Sequence, residues 1–286
     1  MQPRPDEPAL ERRSTRVTVT TVRGRDVQTR DDRLAGEEPM AIRVAGPGQA
    51  PIDVAVTMRT PGNEGELAVG FLHAEGLLAS RDEIESVEFG NAGVIAHPDD
   101  EVLVRLRRPF DAALVADRHF AVTSACGICG KAALDDVHVR AAPIPDGPVI
   151  APEVLWSLPA RLREAQAVFE ATGGLHAAGL FEADGTLVAV REDVGRHNAL
   201  DKLIGSRLLA GELPLRDRIV LVSGRASFEL VQKAAVAGAP ILAAVSAPSD
   251  LAVEAAERLG VTLVGFLRGD GFNIYTRPDR VAVGRV

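Results

Sequence analysis

The chain holds only two cysteines in 286 residues, and they sit three apart in Ser124-Ala125-Cys126-Gly127-Ile128-Cys129-Gly130. Sulfur is the softest and most nucleophilic atom a side chain offers, and its reactivity follows the fraction present as thiolate. The next residues, Lys131-Ala132-Ala133-Leu134, read as the start of a helix. A thiol in a helix's first turn feels the positive end of the helix dipole, which favours thiolate. Gly127 and Gly130 let the backbone swing and approach a partner closely. The plainer alternative is a pair of inert thiols packed side by side in a core.

Four chemistries fit a Cys-x-x-Cys pair. A structural zinc site needs four ligands, and the six histidines and the acids show no second paired spacing. A zinc-dependent nucleobase deaminase carries His-x-Glu and then Pro-Cys-x-x-Cys. Here His73-Ala74-Glu75 precedes Cys126 and Cys129, but residue 125 is Ala and several predicted strands intervene. His73 falls on a predicted helix, where it reads as a partly exposed polar residue. Thioredoxin-like exchange would place the pair early in a small βαβ unit, which this order of elements does not. A sulfur relay, in which one cysteine carries a persulfide to an acceptor, needs an accessible thiolate on a mobile loop. Spacing alone does not separate the last two.

A second group of residues suits anion binding. Arg191-Glu192-Asp193-Val194-Gly195-Arg196-His197-Asn198-Ala199-Leu200-Asp201-Lys202 joins a predicted strand to a helix. Ser223-Gly224-Arg225-Ala226-Ser227 sits at the next such junction, and Phe266-Leu267-Arg268-Gly269-Asp270-Gly271-Phe272-Asn273 follows what reads as the last strand. In an open α/β sheet, ligands bind beyond the carboxyl ends of the strands. Helix-start N–H groups and guanidinium forks both suit phosphate, which makes Arg196, Arg225 and Arg268 the candidate contacts. His197 is a candidate proton donor. Taken singly, each loop also reads as an ordinary connection with solvated charges.

The elements that must hold these residues change character near residue 110. Alternating segments at Thr15 to Val22, Met40 to Val44, Ile52 to Met58, Val87 to Phe89 and Val102 to Leu106 have the period of half-buried strands. Glu64 to Leu78 and Pro152 to Ala171 read as helices. Strands at Leu175 to Phe181 and Leu187 to Arg191 flank a turn at Ala183-Asp184-Gly185. Helix Arg196 to Leu209, strand Arg218 to Val222 and helix Ser227 to Ala237 follow. Strand Pro240 to Val245, helix Ser249 to Leu259 and strand Thr262 to Phe266 complete an α/β layer. The later strands are nearly continuous in apolar residues, as a sheet covered on both faces requires. The expected division is a strand-rich domain with one helix over residues 1–115 and an α/β domain over residues 116–286.

Composition narrows the class. At 46% hydrophobic and 25% charged, wholesale disorder is excluded. A net charge of −8 gives no general grip on nucleic-acid phosphates. The longest apolar runs, Ile219 to Val222 and Ile241 to Val245, are too short to span a bilayer. The polar start, Met1 to Glu7, carries no apolar signal core, so the expectation is a cytoplasmic protein with reduced cysteines, binding neither nucleic acid nor membrane.

The chain resembles the FdhD family, the formate dehydrogenase accessory sulfurtransferases. The resemblance rests on Arg59-Thr60-Pro61-Gly62 with Glu66 to Leu72 and Glu75-Gly76, on Ser124 to Gly130, and on Thr172 to Ala178. It continues through Arg191 to Lys202, Ser223 to Glu229, Gln232 to Ala235, Ala243 to Ser249, and Val264 to Phe266 with Arg268-Gly269. It covers most of residues 55–276 and little of the first forty. It implies a homodimeric sulfur carrier that takes persulfide sulfur from a cysteine desulfurase and delivers it to the Mo or W bis(molybdopterin guanine dinucleotide) cofactor of formate dehydrogenase. By the same resemblance Cys126 is the persulfide carrier, Cys129 assists or resolves, and Phe266, Leu267, Arg268, Gly269, Asp270 and Gly271 form the cofactor-binding segment. Ser223, Gly224, Arg225, Arg196 and His197 are expected to line the same guanine-nucleotide site. The resemblance also implies a larger domain like the cytidine-deaminase fold and no resident metal. The alternatives are a zinc-dependent deaminase-like hydrolase and a cofactor-binding chaperone without sulfur transfer.

Overall fold

The computed structural model describes residues 7–90, 100–116 and 141–283. A short helix α1 (Glu7–Arg13) leads into a two-stranded antiparallel ribbon of β1 (Ser14–Arg23) and β2 (Asp26–Ala35). Next come β3 (Glu38–Ala45), β4 (Ile52–Arg59), helix α2 (Glu64–Ala74), β5 (Ile84–Gly90), β6 (Glu101–Leu106) and a single turn α3 (Ala113–Ala116). Strands β3 to β6 make a four-stranded sheet in the order β4-β3-β6-β5, in which only the β3–β6 pair is parallel. Met40, Ile42 and Val44 of β3 and Val102, Val104 and Leu106 of β6 turn one face of that sheet onto Leu67, Ala68 and Leu72 of α2. The period-two spacing of those residues is what puts them all on one face.

The second half opens with α4 (Pro152–Ala165) and α5 (Ala167–Thr172), then the hairpin β7 (His176–Glu182) and β8 (Leu187–Asp193). It continues with α6 (Arg196–Ala210), β9 (Arg218–Val222), α7 (Phe228–Val236), β10 (Ile241–Ala244), α8 (Asp250–Leu259), β11 (Thr262–Arg268) and β12 (Gly271–Ile274). The sheet order is β12-β11-β10-β9-β7-β8, with β9, β10 and β11 parallel and the flanking strands antiparallel. Alternation divides the buried strand residues between two cores. Val220, Val222, Leu242, Ala244 and Leu263 pack with buried residues of α6, α7 and α8. Ile219, Leu221, Ile241, Ala243 and Val264 pack with Leu155, Leu158 and Leu162 of α4. The expected mixed α/β sheet, covered on both faces, is the one observed.

Several boundaries differ from the sequence expectation. The helix expected to reach Leu78 stops at Ala74 because Gly76 takes φ 66°, which a side chain disfavours, and Leu77 N–H closes back on Leu72 O at 2.8 Å. The helix expected over Pro152 to Ala171 breaks at Gln166, which leaves the helical region at φ −86°, ψ 73°. Strand β2 was not expected: in Asp26–Ala35 only Val27, Leu34 and Ala35 are apolar, because the ribbon leaves most of that strand exposed. The segment from Phe266 does not follow the last strand. It is the end of β11, a Gly269-Asp270 turn, and the start of an added antiparallel strand β12.

Candidate functional site

The two halves are joined where α2 crosses α6. A Cβ on Gly70 would lie 1.9 Å from Asp201 O, and one on Gly205 1.9 Å from Glu66 O, so the backbones touch directly. Around this crossing lie ion pairs. Arg191 Nη2 donates to Glu66 Oε1 at 2.7 Å, and Lys233 Nζ donates to both carboxylate oxygens of buried Asp201 at 2.8 Å. Lys202 Nζ, fully buried, lies 2.7 Å from the Asp193 carboxylate and donates to Thr60 O at 2.7 Å. Asp193 also accepts from the N–H groups of Thr60 and Gly195 and from Asn198 Nδ2, at 2.8–3.1 Å. The charged segment Arg191 to Lys202 therefore divides. Arg191, Asp193, Asp201 and Lys202 are used inside the protein, and Arg196 and His197 remain near the strand ends.

At those strand ends two of the three loops singled out from the sequence, those after β9 and at the end of β11, are laced together through the segment that follows β10. Ser246 N–H donates to Gly224 O at 3.3 Å, Phe266 N–H to Ser246 O at 3.1 Å, and Ala226 N–H to Ala247 O at 3.2 Å. These bonds extend the β9-β10-β11 ladder past the strands, so Ser223 to Ser227, Ser246 to Ser249 and Phe266 to Gly269 become one continuous edge. Phe266 holds the left-handed conformation at φ 53°, and Gly265 beside it has no room for a side chain, since a Cβ would meet Pro248 Cδ and Tyr275 Cε2 at 2.9 Å. Arg268 is exposed, with its guanidinium carbon 5.5 Å from the Phe266 ring centroid, and Gly269, Asp270 and Gly271 are exposed at the turn. Leu267 differs from the rest of that segment: its side chain is fully buried in the α4-side core, so only its backbone is available to a ligand.

The Ser223 hydroxyl accepts the Ala177 N–H at 2.9 Å and so fixes the loop to β7, while Arg225 is exposed. His197 Nε2 lies 3.1 Å from Ser227 Oγ and 3.2 Å from Glu229 Oε2. Both contacts are on the same ring nitrogen, so this is not the acid–histidine–hydroxyl relay that activates a serine. Burial first, then the charges of Lys233 and Arg196 and the neighbouring His176, push the His197 pKa down to about 3. His197 is thus neutral near pH 7 and suits positioning better than proton donation.

A test follows from the sign of that shift. The unfolded imidazole titrates near ~6.5, so between that pH and the folded value the unfolded chain binds more protons. Stability then falls as pH drops through the window, by at most about 1.4 kcal/mol per pH unit from this group. Unfolding free energy measured in urea should decrease from about pH 7 to about pH 5, and His197→Gln should flatten that slope. Equal slopes in the two proteins would mean the folded imidazole carries its charge.

Sequence reasoning missed His176. It begins a strand antiparallel to β9, and so lies at the same edge as the carboxyl ends of the parallel strands. A Cβ on Gly224 would stand 3.3 Å from His176 Nδ1 and 3.8 Å from Arg196 Cδ. The only signal in the sequence was membership of the Thr172 to Ala178 segment, which does not reveal strand direction.

Cys126 and Cys129 lie outside the described residues. His73, expected to be partly exposed, is buried on α2 with Nδ1 3.0 Å from Leu78 O, because the early end of the helix folds that carbonyl back over the ring. Among the described residues no cluster of three or more His, Cys, Asp or Glu is placed to hold a metal ion, and no helix is long and apolar enough to cross a membrane. A separate open groove of about 610 Å³, lined by residues including Arg81, Asp82, Glu85 and Arg107, shares no residue with the strand-end site.

Residues 35–282 match the FdhD/NarQ family. Over 276 residues the chain is 50% identical to the sulfur carrier protein FdhD of Mycolicibacterium paratuberculosis, spanning 94% of this chain and 98% of that one. It is 44% identical over 266 residues to the protein of the same name from Sulfurisphaera tokodaii, spanning 93% and 98%. A crystal structure from Desulfotalea psychrophila, described as a candidate formate dehydrogenase accessory protein, superposes with a TM-score of 0.72 at 25% identity, covering 94% of this chain and 99% of that one. A family match over that span, with half the residues identical to a relative along almost its whole length, means that the chain belongs to the FdhD/NarQ family.

Proposed function

We propose that this protein is a cytoplasmic, homodimeric sulfur carrier that serves formate dehydrogenase. The observation that carries the reading is the near end-to-end identity with proteins named as sulfur carriers. The Cys-x-x-Cys pair supplies the chemistry. The Cys126 thiolate attacks the outer sulfur of a persulfide on a cysteine desulfurase, the donor's S–S bond breaks, and the desulfurase cysteine leaves as thiolate. No net oxidation occurs in that step. In delivery the outer sulfur passes to the metal of the Mo or W bis(molybdopterin guanine dinucleotide) client, and Cys126 departs as thiolate. The metal supplies the two electrons that turn sulfane sulfur into a sulfido ligand. Cys129, three residues on in the sequence, assists or resolves the persulfide in this reading.

The laced loop edge supports the cofactor half of this reading. Arg196, Arg225 and Arg268 offer guanidinium groups around the pyrophosphate of a guanine dinucleotide. Gly224, Gly269 and Gly271 keep the surface low enough for backbone approach, and the aromatic ring of Phe266 lies at the rim.

The test is intact-protein mass spectrometry after incubation with a cysteine desulfurase and cysteine. The chain should gain one sulfur atom that a mild reductant removes, and Cys126→Ala should gain none while unfolding like the parent. Persulfide formation on Cys126→Ala, or none on the parent with its thiols reduced, would end the relay reading. A chain that binds a guanine nucleotide yet takes up no sulfur would then be a cofactor chaperone.

A further inference from the structure

Several features converge on His176. The ring stands at the strand-end edge, and a Cβ on Gly224 would meet both the ring and the Arg196 side chain within 4 Å. The N–H groups of Gly224 and Arg225 donate to no acceptor among the described residues. The charged or titratable groups that face His176 are Arg196 and His197 of α6 and Asp193 at the end of β8; the loop after β9 presents Ser223 and Gly224. Asp193 is turned inward, its carboxylate taken up by Lys202, Asn198 and the N–H groups of Thr60 and Gly195. Arg196 is the positive charge that disfavours a protonated His176. Burial, and then the Arg196 charge, hold His176 below the usual histidine range, so its ring is neutral near pH 7.

We propose that His176, Arg196 and the N–H groups of Gly224 and Arg225 form the seat of a phosphate group of the client nucleotide, and that filling this seat protonates His176. The inference rests on the guanine-nucleotide reading above and adds to it a residue and a proton. A phosphate brings negative charge against the imidazole and offsets the repulsion from Arg196, so the charged ring becomes the favoured form. Binding is then linked to proton uptake, and affinity rises as pH falls through the titration of the occupied site. Each pKa unit by which binding raises His176 corresponds to about tenfold in affinity.

The test is calorimetry of the full chain with GDP, in two buffers of different ionisation enthalpy, for the parent and for His176→Gln. The parent should take up more protons than the variant, and its affinity should improve about fivefold or more from about pH 8 to about pH 6, a gain that His176→Gln lacks. Inorganic pyrophosphate should reproduce the uptake and guanosine should not. Gly224→Ala, whose methyl would enter the gap between the ring and Arg196, should weaken GDP binding without lowering the melting temperature. GDP binding with equal proton counts in parent and His176→Gln would overturn the inference and leave the nucleotide reading standing, as would guanosine giving the same uptake. No binding of GDP at either pH would overturn both.

Discussion

Gly205→Ala is expected to destabilise the protein by more than about 3 kcal/mol, beyond the usual 1–3 for an overpacked core. The new Cβ would lie 1.9 Å from Glu66 O, and Gly70 meets Asp201 O at the same distance from the other side. Both obstacles are backbone, and no rotamer change relieves them. The helices would have to part, which pulls Glu66 of α2 from Arg191 of β8. Alanine's better helix propensity returns only about 1 kcal/mol. For a chain of this size, a net loss of about 3 kcal/mol lowers the melting temperature by roughly 6–12 °C. Thermal unfolding monitored by circular dichroism reads the effect. A shift of less than about 2 °C would mean that the crossing is loose and that α6 does not depend on α2 for its position.

Lys202→Met is the second large loss expected. Removing one partner of a buried ion pair typically costs about 3–5 kcal/mol because the other charge is left unpaired. Here the ammonium holds the Asp193 carboxylate at 2.7 Å and the Thr60 carbonyl at 2.7 Å, and the side chains of both Lys202 and Asp193 are fully buried. Asp193 in turn receives Gly195 and Asn198, which set the first turn of α6 and hence Arg196 and His197. Lys202→Met should therefore lower unfolding free energy in urea and also weaken nucleotide binding. Adding Asp193→Leu should restore part of the stability, since no charge is then stranded, without restoring the binding. A cost below about 1 kcal/mol for Lys202→Met would show that water reaches the pair.

Much of the fold was legible from pattern. The apolar runs in β9, β10 and β11 announced strands buried on both faces, and the strand–helix alternation announced the layer that covers them, because side-chain periodicity is local. The exposed ribbon strand β2 left no such trace, since a strand that buries little has no apolar alternation to read. The three polar loops were recognisable by composition and by their place after strands. Leu267 was included with them because a contiguous segment does not reveal which side chain a strand turns inward.

The chemistry-bearing residue types and their spacing were written in the chain itself: two cysteines three apart, and arginines and glycines at strand ends. Residue identity and short spacing are properties of the covalent chain, so no fold is needed to state them. Which charges serve the interior and which face a ligand was decided by tertiary packing. Asp193 and Lys202 read as part of a binding loop, yet they are buried against Thr60, a residue more than a hundred positions away. His176 reads as an ordinary strand residue, yet the antiparallel run of β7 delivers it to the edge where the parallel strands end. Strand direction, and the meeting of distant backbones at Gly70 and Gly205, depend on contacts between segments far apart in the chain, and no local pattern encodes them.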